Sequence, residues 1–376
     1  MKNILITGGA GFIGSNLTVK LVSKGYNVTI LDNLSKQIHG ENQDSTLYNS
    51  IKDIATFILG DVCNKSDWAK ALKGQDAVIH LAAETGTGQS MYEITRYNEV
   101  NVIGTAQLLN ILTNQEHTIK KIIIASSRSI YGEGKYLCNN HGIIYPNERK
   151  DADMVNGNFN PICDKCDKKL ILKATDENSK IHPSSIYGIT KQQQEQMILL
   201  TGKTLKIPAV ALRYQNVYGP GQSLANPYTG ILSIFSTRLL NGNDIDIYED
   251  GEESRDFVFI DDVVDATVLA LEKKEANHQI FNVGSGVATT VSEVANTLRE
   301  LYDSNVGINI SGKYRLGDIR HNYADLSKIR NVLGFHHKFN FRTGISEFVN
   351  WVKTQEIQSD KYKDTLIKLK NKGLIK

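Results

Sequence analysis

The chain of 376 residues has few of the residue types that mark specialised folds: it contains 6 prolines, 4 cysteines and 2 tryptophans. This low proline content beside 30 glycines, together with 40% hydrophobic residues, excludes collagen-like and disordered chains. Four cysteines in a chain of this length do not make a disulfide scaffold. We therefore expect a globular protein with a sizeable apolar core.

The chain also lacks an excess of charge of either sign. Its 43 lysines and arginines stand against 41 acidic residues, so a formal net charge of +2 creates no overall field for nucleic acid or an anionic membrane. No apolar run approaches the roughly 18 residues of a spanning helix, and glycines interrupt the N-terminal apolar stretch too early for a signal peptide. We expect a cytoplasmic protein that binds neither nucleic acid nor membrane and recognises phosphate only locally.

What the chain does have is a regular alternation of short β-branched runs with longer helical patterns. Helical periodicity covers, for example, residues 12–23 and 97–112. This alternation predicts βαβ units and an α/β fold built on a doubly wound parallel sheet. The predicted strands are residues 2–7, 27–32, 56–59, 77–80, 121–126 and 209–213.

The alternation is interrupted twice. Residues 133–182 are polar and turn-rich where a βαβ unit needs only a short connection, and after about residue 220 the segments shorten into a smaller α+β lobe. The tail, residues 359–376, predicts a peripheral amphipathic helix on its own protein, with a partner or membrane helix as the alternative. The predicted domains are 1–204 with the insertion at 133–182, and 205–376 with 208–218 and 256–270 returning to the sheet.

A glycine-rich motif, TGGAGFIG over residues 7–14, directly follows the first strand and opens a helix. Gly8 permits the tight turn, Gly11 lets the backbone approach a pyrophosphate, and Gly14 allows close packing of the helix on the strand. Asp32 ends the second strand, where a carboxylate accepts both ribose hydroxyls of NAD and repels the 2′-phosphate of NADP. The motif predicts a Rossmann-type sheet that binds NAD.

A second group of residues has the chemistry of a general base. Tyr187 and Lys191 are four residues apart in a helical pattern, so they share one helix face. A phenol titrates near ~10, and a neighbouring cation together with a positive nicotinamide ring favours the phenolate. Ser127, at the end of the fifth strand, completes the candidate catalytic set.

With these residues the chain resembles the extended short-chain dehydrogenase/reductases, specifically the nucleotide-sugar epimerases and dehydratases, over roughly residues 1–350. The motifs DNLS, HLAAE, YNEVNVIGT, SSRSIYG, YGITK, LRYQNVYGPGQ, ESRDFVFIDD and RLGDIRH follow the family's order. The resemblance implies that Ser127 and Tyr187 bind and deprotonate a sugar hydroxyl while Lys191 holds the nicotinamide ribose. Asp61 is a candidate for the adenine amino group, with a solvated turn residue as the alternative. The predicted cofactor-binding residues are Gly8, Gly11, Phe12, Ile13, Gly14, Asp32, Asn33, Asp61, Val62, Leu81, Ala82, Ala83, Asn101, Tyr187 and Lys191.

The resemblance also implies a nucleotide-diphosphate sugar as substrate and a homodimer as the assembly. Arg255 and Arg315 match the family's diphosphate clamps, and a nearly neutral protein needs such local bidentate donors. Ile247 and Tyr248 stand where the family packs its pyrimidine base, with core packing as an equal alternative. The predicted substrate-binding residues are Thr87, Gly88, Gln89, Ser127, Ser129, Asn216, Ile247, Tyr248, Arg255, Arg315 and Asp318.

The reaction follows from a departure from the family pattern. Its 4,6-dehydratases carry Asp-Glu after the catalytic Ser or Thr, because removing water needs an acid and a base, whereas this chain has Arg128 and Ser129. One base and a retained hydride suffice for a 4-epimerase, which oxidises a sugar hydroxyl, rotates the keto sugar and returns the hydride to its other face.

The finer resemblance, in HLAAETGTGQSMY, SSRSIYGEG and the insertion, is to dTDP-L-rhamnose 4-epimerases. It implies interconversion of dTDP-L-rhamnose and dTDP-6-deoxy-L-talose, and hence a preference for a dTDP-sugar. A UDP-hexose 4-epimerase is the alternative, followed by a net reductase. An NAD-sensing binding protein is the alternative from a different class, but a sensor has no use for an activated phenol.

The insertion contains two ligand pairs, Cys138 with His141 and Cys163 with Cys166, each of x2 spacing and 21 residues apart. That spacing is compatible with a tetrahedral structural zinc, and free thiols are the alternative. A polar segment cannot recover ~1–2 kcal/mol of ordering entropy per residue by burial, which favours a metal. A catalytic zinc is disfavoured because four protein ligands close the site and hydride transfer does not need the metal.

Overall fold

The computed structural model describes residues 1–40, 45–224, 226 and 230–376. Its strands are β1 Asn3–Thr7, β2 Asn27–Asp32, β3 Thr56–Leu59, β4 Ala77–His80, β5 Lys121–Ser127, β6 Lys135–Cys138, β7 Gly142–Ile144, β8 Ile171–Lys173, β9 Ala209–Tyr214, β10 Asn216–Tyr218, β11 Ile245–Ile247, β12 Ser254–Arg255, β13 Phe257–Phe259, β14 Ile280–Val283, β15 Thr289–Thr290, β16 Ile308–Ile310 and β17 His321–Asn322. Each strand predicted from an apolar run is present, within one residue at either end.

The helices begin with the one that follows the glycine motif. They are α1 Phe12–Ser23, α2 Lys36–His39, α3 Thr46–Asn49, α4 Lys65–Ala71, α5 Thr87–Ser90, α6 Ile94–Tyr97, α7 Gly104–Asn114, α8 Asp151–Val155, α9 Ile186–Thr204, α10 Ile231–Leu240, α11 Ile260–Glu272, α12 Val291–Leu301, α13 Ser327–Leu333, α14 Phe341–Val352 and α15 Tyr362–Asn371. The single helix predicted over 97–112 is instead α6 and α7 joined by a π-helical turn, Asn98–Ile103. None of the helices in the described ranges is long and apolar enough to cross a bilayer.

Seven parallel strands form the main sheet, in the order β14-β9-β5-β4-β1-β2-β3. The inner strands β4, β5 and β9 are buried at every residue, which is why they are continuous apolar runs in the sequence. The strand order reverses between β1 and β4, and such a switch point opens a crevice at the carboxyl ends of the strands. The predicted doubly wound α/β fold is confirmed.

Successive residues of β1 enter opposite apolar layers of the protein. Ile4 and Ile6 pack with α1 and α11 in one core cluster, while Leu5 packs with α4, α7 and α9 in the other. The first cluster continues into the second lobe through Leu298 and Phe348. The two lobes therefore share one continuous core.

Residues 256–270 were predicted to return to the main sheet, and this prediction is wrong for the strand in that segment. The strand β13 pairs only with β10 in a separate two-stranded sheet, and β14 is the strand that joins the edge of the main sheet beside β9. The helix of the same segment, α11, does pack against α1 on the face of the main sheet. The run IFNV of β14 is short and includes the polar Asn282, so it was not among the apolar runs from which strands were predicted.

The insertion forms its own small unit. Its central strand β6 pairs antiparallel with β7 and β8; Cys138 is the last residue of β6, and Cys163 and Cys166 flank a short turn. Its apolar cluster contains only Cys138, Ile144 and Cys163 as buried members, with Cys166 and Leu170 partly buried against them. Ordinary hydrophobic burial around the cysteines is therefore small; elsewhere in the insertion, Met154 and Phe159 pack against Tyr314 in a second cluster.

A fully buried histidine ends the central strand β4. The imidazole of His80 lies between two hydroxyls, with Nδ1 2.7 Å from Thr7 Oγ1 and Nε2 3.0 Å from Thr105 Oγ1. Because Thr105 donates its own proton to the Asn101 carbonyl oxygen, we assign the imidazole proton to Nε2. Burial, aided by the charge of Lys191, lowers the pKa of His80 to about 3.

We expect this histidine to make the protein sensitive to acid. An unfolded histidine titrates near ~6.5, so between that pH and about 3 the unfolded chain binds the extra proton and the free energy of unfolding decreases as the pH falls. His80→Gln should reduce this decrease, measured by urea unfolding across the same pH range. The exposed His336→Gln is the control. Equal pH slopes for the two variants and the unmodified protein would contradict the assignment.

Candidate active site

A crevice of about 340 Å³ opens at the carboxyl ends of the strands, at the switch point of the sheet. It brings together most of the residues predicted for cofactor binding and catalysis. Those lining it are Gly8, Gly11, Phe12, Ile13, Gly14, Asp32, Asn33, Val62, Leu81, Ala82, Ala83, Ser127, Tyr187 and Lys191. These residues are far apart in the chain and meet because their strands end side by side.

The glycine turn at the start of this crevice has the geometry that a bound pyrophosphate needs. Gly8 has a φ of +66°, and a Cβ there would lie 2.8 Å from the Ala82 nitrogen. A Cβ on Gly14 would lie 2.3 Å from the Gly8 carbonyl oxygen, so only glycine lets α1 sit this close to the turn. The first N–H groups of α1 therefore face the crevice past Gly11, as expected for a phosphate site.

Asp32 closes the far side of the turn. Its carboxylate is 9% exposed and accepts hydrogen bonds from the Ala10 nitrogen (3.0 Å) and the Leu34 nitrogen (2.9 Å). Burial raises the pKa of Asp32 and outweighs these bonds. His39 Nε2 lies 4.0 Å from the carboxylate and also lines the crevice. These residues fit NAD, because the ribose hydroxyls of NAD would donate to the Asp32 carboxylate. No sequence motif indicated His39.

Asp61 and Asn101, two other predicted cofactor residues, are not on the wall of the crevice as the structure describes it. The Asp61 carboxylate accepts from Asn33 Nδ2 at 3.0 Å beside the crevice. Asn101 is fully buried and joins the Glu84 backbone nitrogen (2.8 Å) to Thr190 Oγ1 (3.0 Å). It positions the loop after β4 against α9, so its predicted direct contact with the cofactor is corrected to a supporting role.

The candidate catalytic residues meet where β5 ends and α9 begins. Ser127 Oγ accepts from the Ser129 nitrogen (3.1 Å) and from Ser129 Oγ (2.9 Å). Ser185 caps α9 by accepting from the Gly188 nitrogen, which places Tyr187 in the first turn. The predicted substrate residue Ser129 therefore contacts Ser127 and does not line the crevice.

The predicted phenolate depends on a nicotinamide ring as well as on a neighbouring cation, and the structure describes the contribution of the protein's own groups. Burial raises the pKa of Tyr187 and outweighs a hydrogen bond with Ser127 and the charge of Arg128. Burial likewise lowers the pKa of Lys191 to about 7, and its ammonium donates to Gln194 Oε1 at 2.7 Å. The protein groups alone therefore do not make a phenolate, because desolvation exceeds the attraction that spacing by four residues suggested.

A second pocket, of about 280 Å³, adjoins the crevice. The two cavities meet at the end of β5, where Ser127 lines the crevice and the next residue, Arg128, lines the second pocket. Of the predicted substrate residues, those on its wall are Thr87, Gly88, Asn216, Tyr248, Arg255, Arg315 and Asp318. One residue of this wall that sequence reasoning did not assign to the site is Arg128, which was noted only as a departure from the dehydratase pattern.

The second pocket carries an excess of positive charge at one end. Arg128 Nε donates to Asn216 Oδ1 at 2.7 Å, and an Arg255 nitrogen donates to Asp318 Oδ1 at 3.0 Å. Although burial opposes it, the charges of Arg255 and Arg315 hold the pKa of Asp318 at about 2. The guanidinium groups of Arg128, Arg255 and Arg315 thus face two carboxyl groups, those of Asp318 and Glu253, and burial raises the pKa of Glu253 to about 7. This imbalance suits a diphosphate, which guanidinium groups bind with paired hydrogen bonds.

Four predicted substrate residues are not on this wall within the described chain: Ser127, which lines the crevice, its neighbour Ser129, and Ile247 and Gln89. Ile247 is 1% exposed and belongs to the core, whereas Asp246 and Tyr248 on either side of it line the pocket. The alternation of strand side chains decides this, because one face of β11 is buried. Gln89 is also buried, and its amide bonds to Gln37 and Glu93 rather than facing the pocket.

Arg149 connects the insertion to the second pocket. Its buried guanidinium contacts Glu133 at 3.2 Å, donates to both carboxylate oxygens of Glu249 at 2.8 Å, and donates to the Asp318 carbonyl oxygen at 2.9 Å. Asp318 in turn holds Arg255. The insertion therefore supports the cationic end of the pocket, a link that no local sequence signal predicted.

The four predicted metal ligands converge within the insertion. All their ligand atoms lie within 4.8 Å of one another. Cys138 Sγ is 3.5 Å from His141 Nδ1 and 3.7 Å from Cys166 Sγ, and Cys163 Sγ is 3.6 Å from the same imidazole nitrogen. A tetrahedral zinc with ligand bonds of ~2.0–2.3 Å separates its ligands by about 3.5–3.8 Å. The donor set and its spacing fit zinc.

The fold and the two adjoining pockets define the class of protein, a Rossmann-type α/β protein with a dinucleotide crevice beside an arginine-lined pocket. The chain belongs to the NAD dependent epimerase/dehydratase family, which matches residues 4–153 and 162–284. It is thus an enzyme of an NAD-dependent nucleotide-sugar epimerase family, as its motifs predicted.

Among curated relatives, the chain is 36% identical over 353 residues to the dTDP-L-rhamnose 4-epimerase of Burkholderia thailandensis, covering 93% of this chain and 95% of the relative. A solved UDP-glucose 4-epimerase of Thermotoga maritima with UDP-glucose is 30% identical, with a TM-score of 0.76 and coverage of 93% and 98%. A Bacillus cereus UDP-glucuronic acid 4-epimerase variant, solved with a UDP-sugar analogue and NAD, is 26% identical, with a TM-score of 0.76 and coverage of 93% and 99%.

Proposed function

We propose that this enzyme is a nucleotide-sugar 4-epimerase that interconverts dTDP-L-rhamnose and dTDP-6-deoxy-L-talose. The observation that carries the proposal is the meeting of Ser127 and Tyr187 with the arginine-lined pocket, with Arg128 and Ser129 in place of a dehydratase acid–base pair. The similarity to the Burkholderia enzyme supports the choice of sugar. Tyr187, Ser127 and Lys191 are the proposed catalytic residues.

NAD, when bound, accepts a hydride from carbon 4 of the sugar and returns it. The chain's own residues do the rest. Ser127 holds the 4-hydroxyl, and Tyr187 takes its proton as the carbonyl forms and gives a proton back as the carbonyl is reduced. Gly8, Gly11 and Asp32 would hold the pyrophosphate and adenosine ribose, and Lys191 the nicotinamide ribose. Burial raises the pKa of Tyr187 in the protein alone, so a phenolate at this position would depend on the positive charge of the nicotinamide ring when NAD is bound.

The diphosphate is the part of the substrate that stays fixed. Arg128, Arg255 and Arg315 bind it at the cationic end of the second pocket, so the keto sugar can rotate about the bond to the diphosphate. Rotation presents the opposite face of carbon 4 to the same hydride donor. Returning the hydride to that face inverts the stereochemistry without net consumption of NAD.

We expect purified protein to convert dTDP-L-rhamnose into a mixture with its 4-epimer, followed by proton NMR of the sugar. No NADH should accumulate, because the hydride returns within one turnover. Parallel incubations with UDP-glucose and UDP-galactose test the UDP-hexose alternative, which the UDP-glucose 4-epimerase similarity favours. Steady accumulation of NADH together with keto sugar would contradict epimerisation and assign a net oxidoreductase.

We also propose that Cys138, His141, Cys163 and Cys166 bind a structural zinc. The convergence of four ligand atoms, with only a small apolar cluster around them, supports this. All four cysteines of the described chain are free thiols, so they are available as ligands. The homodimer implied by the family resemblance stays a prediction, which analytical ultracentrifugation of the purified protein tests.

A further inference from the structure

One wall of the second pocket comes from the C-terminal tail, a part of the chain outside every family motif. The helix α15 places four side chains on this wall: Tyr362, Thr365, Leu366 and Leu369. Their spacing of three, one and three residues puts them on a single helix face. Residues on the opposite face of the same helix, such as Ile367 and Lys368, are exposed. The apolar face of this predicted amphipathic helix therefore packs on its own protein and lines the second pocket.

The tail is fixed to the pocket at both ends of the helix. Before α15, the Asp360 carboxylate accepts from Asn243 Nδ2 at 2.9 Å and from an Arg238 nitrogen at 3.3 Å. The Arg238 guanidinium also lies 4.3 Å from the centre of the Tyr362 ring. The Tyr362 hydroxyl contacts the hydroxyl of Tyr248 at 3.4 Å.

After α15, the chain pairs with the backbone on either side of Arg315. The Tyr314 nitrogen donates to the Lys376 carbonyl oxygen at 3.0 Å, and the Leu316 nitrogen donates to the Leu374 carbonyl oxygen at 3.1 Å. Arg315 is a proposed diphosphate ligand, so the tail and the cationic end of the pocket form one unit.

The position of this helix indicates which part of the ligand it meets. The sugar must reach Tyr187, at the junction with the NAD crevice, and the diphosphate must reach the arginines next to it. The remainder of the pocket, where Tyr248 and α15 face each other, is left for the nucleoside. Of the described residues, those of α15 line only the second pocket and not the crevice.

We propose that α15 is a specificity element that binds the nucleoside of a pyrimidine nucleoside diphosphate through Tyr362, Thr365 and Leu366. This inference rests on the proposed class of substrate but not on the identity of its sugar. Leu366 supplies apolar contact to the base or ribose, and Thr365 supplies a hydroxyl for hydrogen bonding. The family's catalytic motifs set the reaction, while the tail contributes to the choice of ligand.

Calorimetric titration of the full-length protein with dTDP, and separately with UDP, tests the proposal. Leu366→Ala should weaken binding about tenfold, the effect of losing roughly 60 Å² of apolar contact, while the amount of NAD that copurifies stays unchanged. The control is Ile367→Ala, which removes a side chain of equal size from the exposed face of the same helix and should leave both affinities unchanged. Leu366→Met, which conserves volume, should restore most of the affinity.

Other outcomes would overturn the proposal. Equal affinities for Leu366→Ala and Ile367→Ala would show that α15 does not contact the nucleotide. A parallel loss of bound NAD and of melting temperature in Leu366→Ala would assign Leu366 to general packing. Because dTDP and UDP bind without any turnover, failure of the dTDP-L-rhamnose assay leaves this test intact, and the two hypotheses fail independently.

Discussion

Tyr187→Phe should lower the rate of 4-epimerisation by about 10²–10⁴-fold, the range typical for loss of a positioned general base. The phenol is the one group of the candidate catalytic set that can take the hydroxyl proton, because a serine hydroxyl ionises less readily than a phenol and the Lys191 ammonium donates to Gln194. The ring remains in the variant, so its edge-to-face contact with Tyr97, at 6.4 Å between centroids, is kept. Affinity for the dinucleotide and the melting temperature should therefore change little.

The measurement is turnover of dTDP-L-rhamnose, with NAD content determined on the same samples. Tyr218→Phe is the matched control, because it removes a phenol hydroxyl from a buried tyrosine that lines neither the crevice nor the second pocket in the described structure. It should retain nearly full activity. A Tyr187→Phe variant that keeps more than about a tenth of the rate would rule out Tyr187 as the base and redirect attention to Ser127.

The second large effect concerns the zinc proposed for the insertion. Purified protein should contain about one zinc per chain by elemental analysis. Cys163→Ser should reduce the metal to background and raise protease cleavage within residues 133–182 by about a hundredfold or more, since structural zinc contributes ~10 kcal/mol or more to such units. The small apolar cluster around Cys138 and Ile144 cannot replace that contribution.

This loss should reach the substrate pocket but not the dinucleotide crevice. Arg149 belongs to the insertion and holds Asp318, so Cys163→Ser should raise KM for the nucleotide sugar while bound NAD is retained. Cys63→Ser is the matched control, since Cys63 is the one cysteine outside the cluster and should leave zinc content unchanged. Metal-free protein with a protease-resistant insertion would show that packing alone orders this unit, and the zinc assignment would be withdrawn.

Much of the fold was predictable because its signals are local. Buried parallel strands such as β4 and β5 have no solvent-facing residues, so each one is a continuous apolar run. Gly8 and Gly14 are indicated by a turn that no other residue can make. The ligand pairs of the insertion follow from spacing alone. In each case a few neighbouring residues carry the whole constraint.

The rest required distant parts of the chain to meet. The sequence could not separate Ile247 from Tyr248, because which face of β11 is buried depends on helices elsewhere in the chain. The desolvation that raises the pKa of Tyr187 comes from the surrounding packing and not from its helix. The edge strand β14 also depends on contacts formed only in the fold.

The amino-acid sequence by itself determined the doubly wound sheet, the glycine turn with Asp32, the candidate catalytic residues and the cysteine pairs of the insertion, because these depend on residue type at short, regular spacing. Only the tertiary structure decided that Arg149 joins the insertion to Asp318 and that α15 forms a wall of the second pocket. Such placements arise from packing between segments more than a hundred residues apart. An amphipathic pattern states that a helix has an apolar face, but the partner of that face is set by the whole fold.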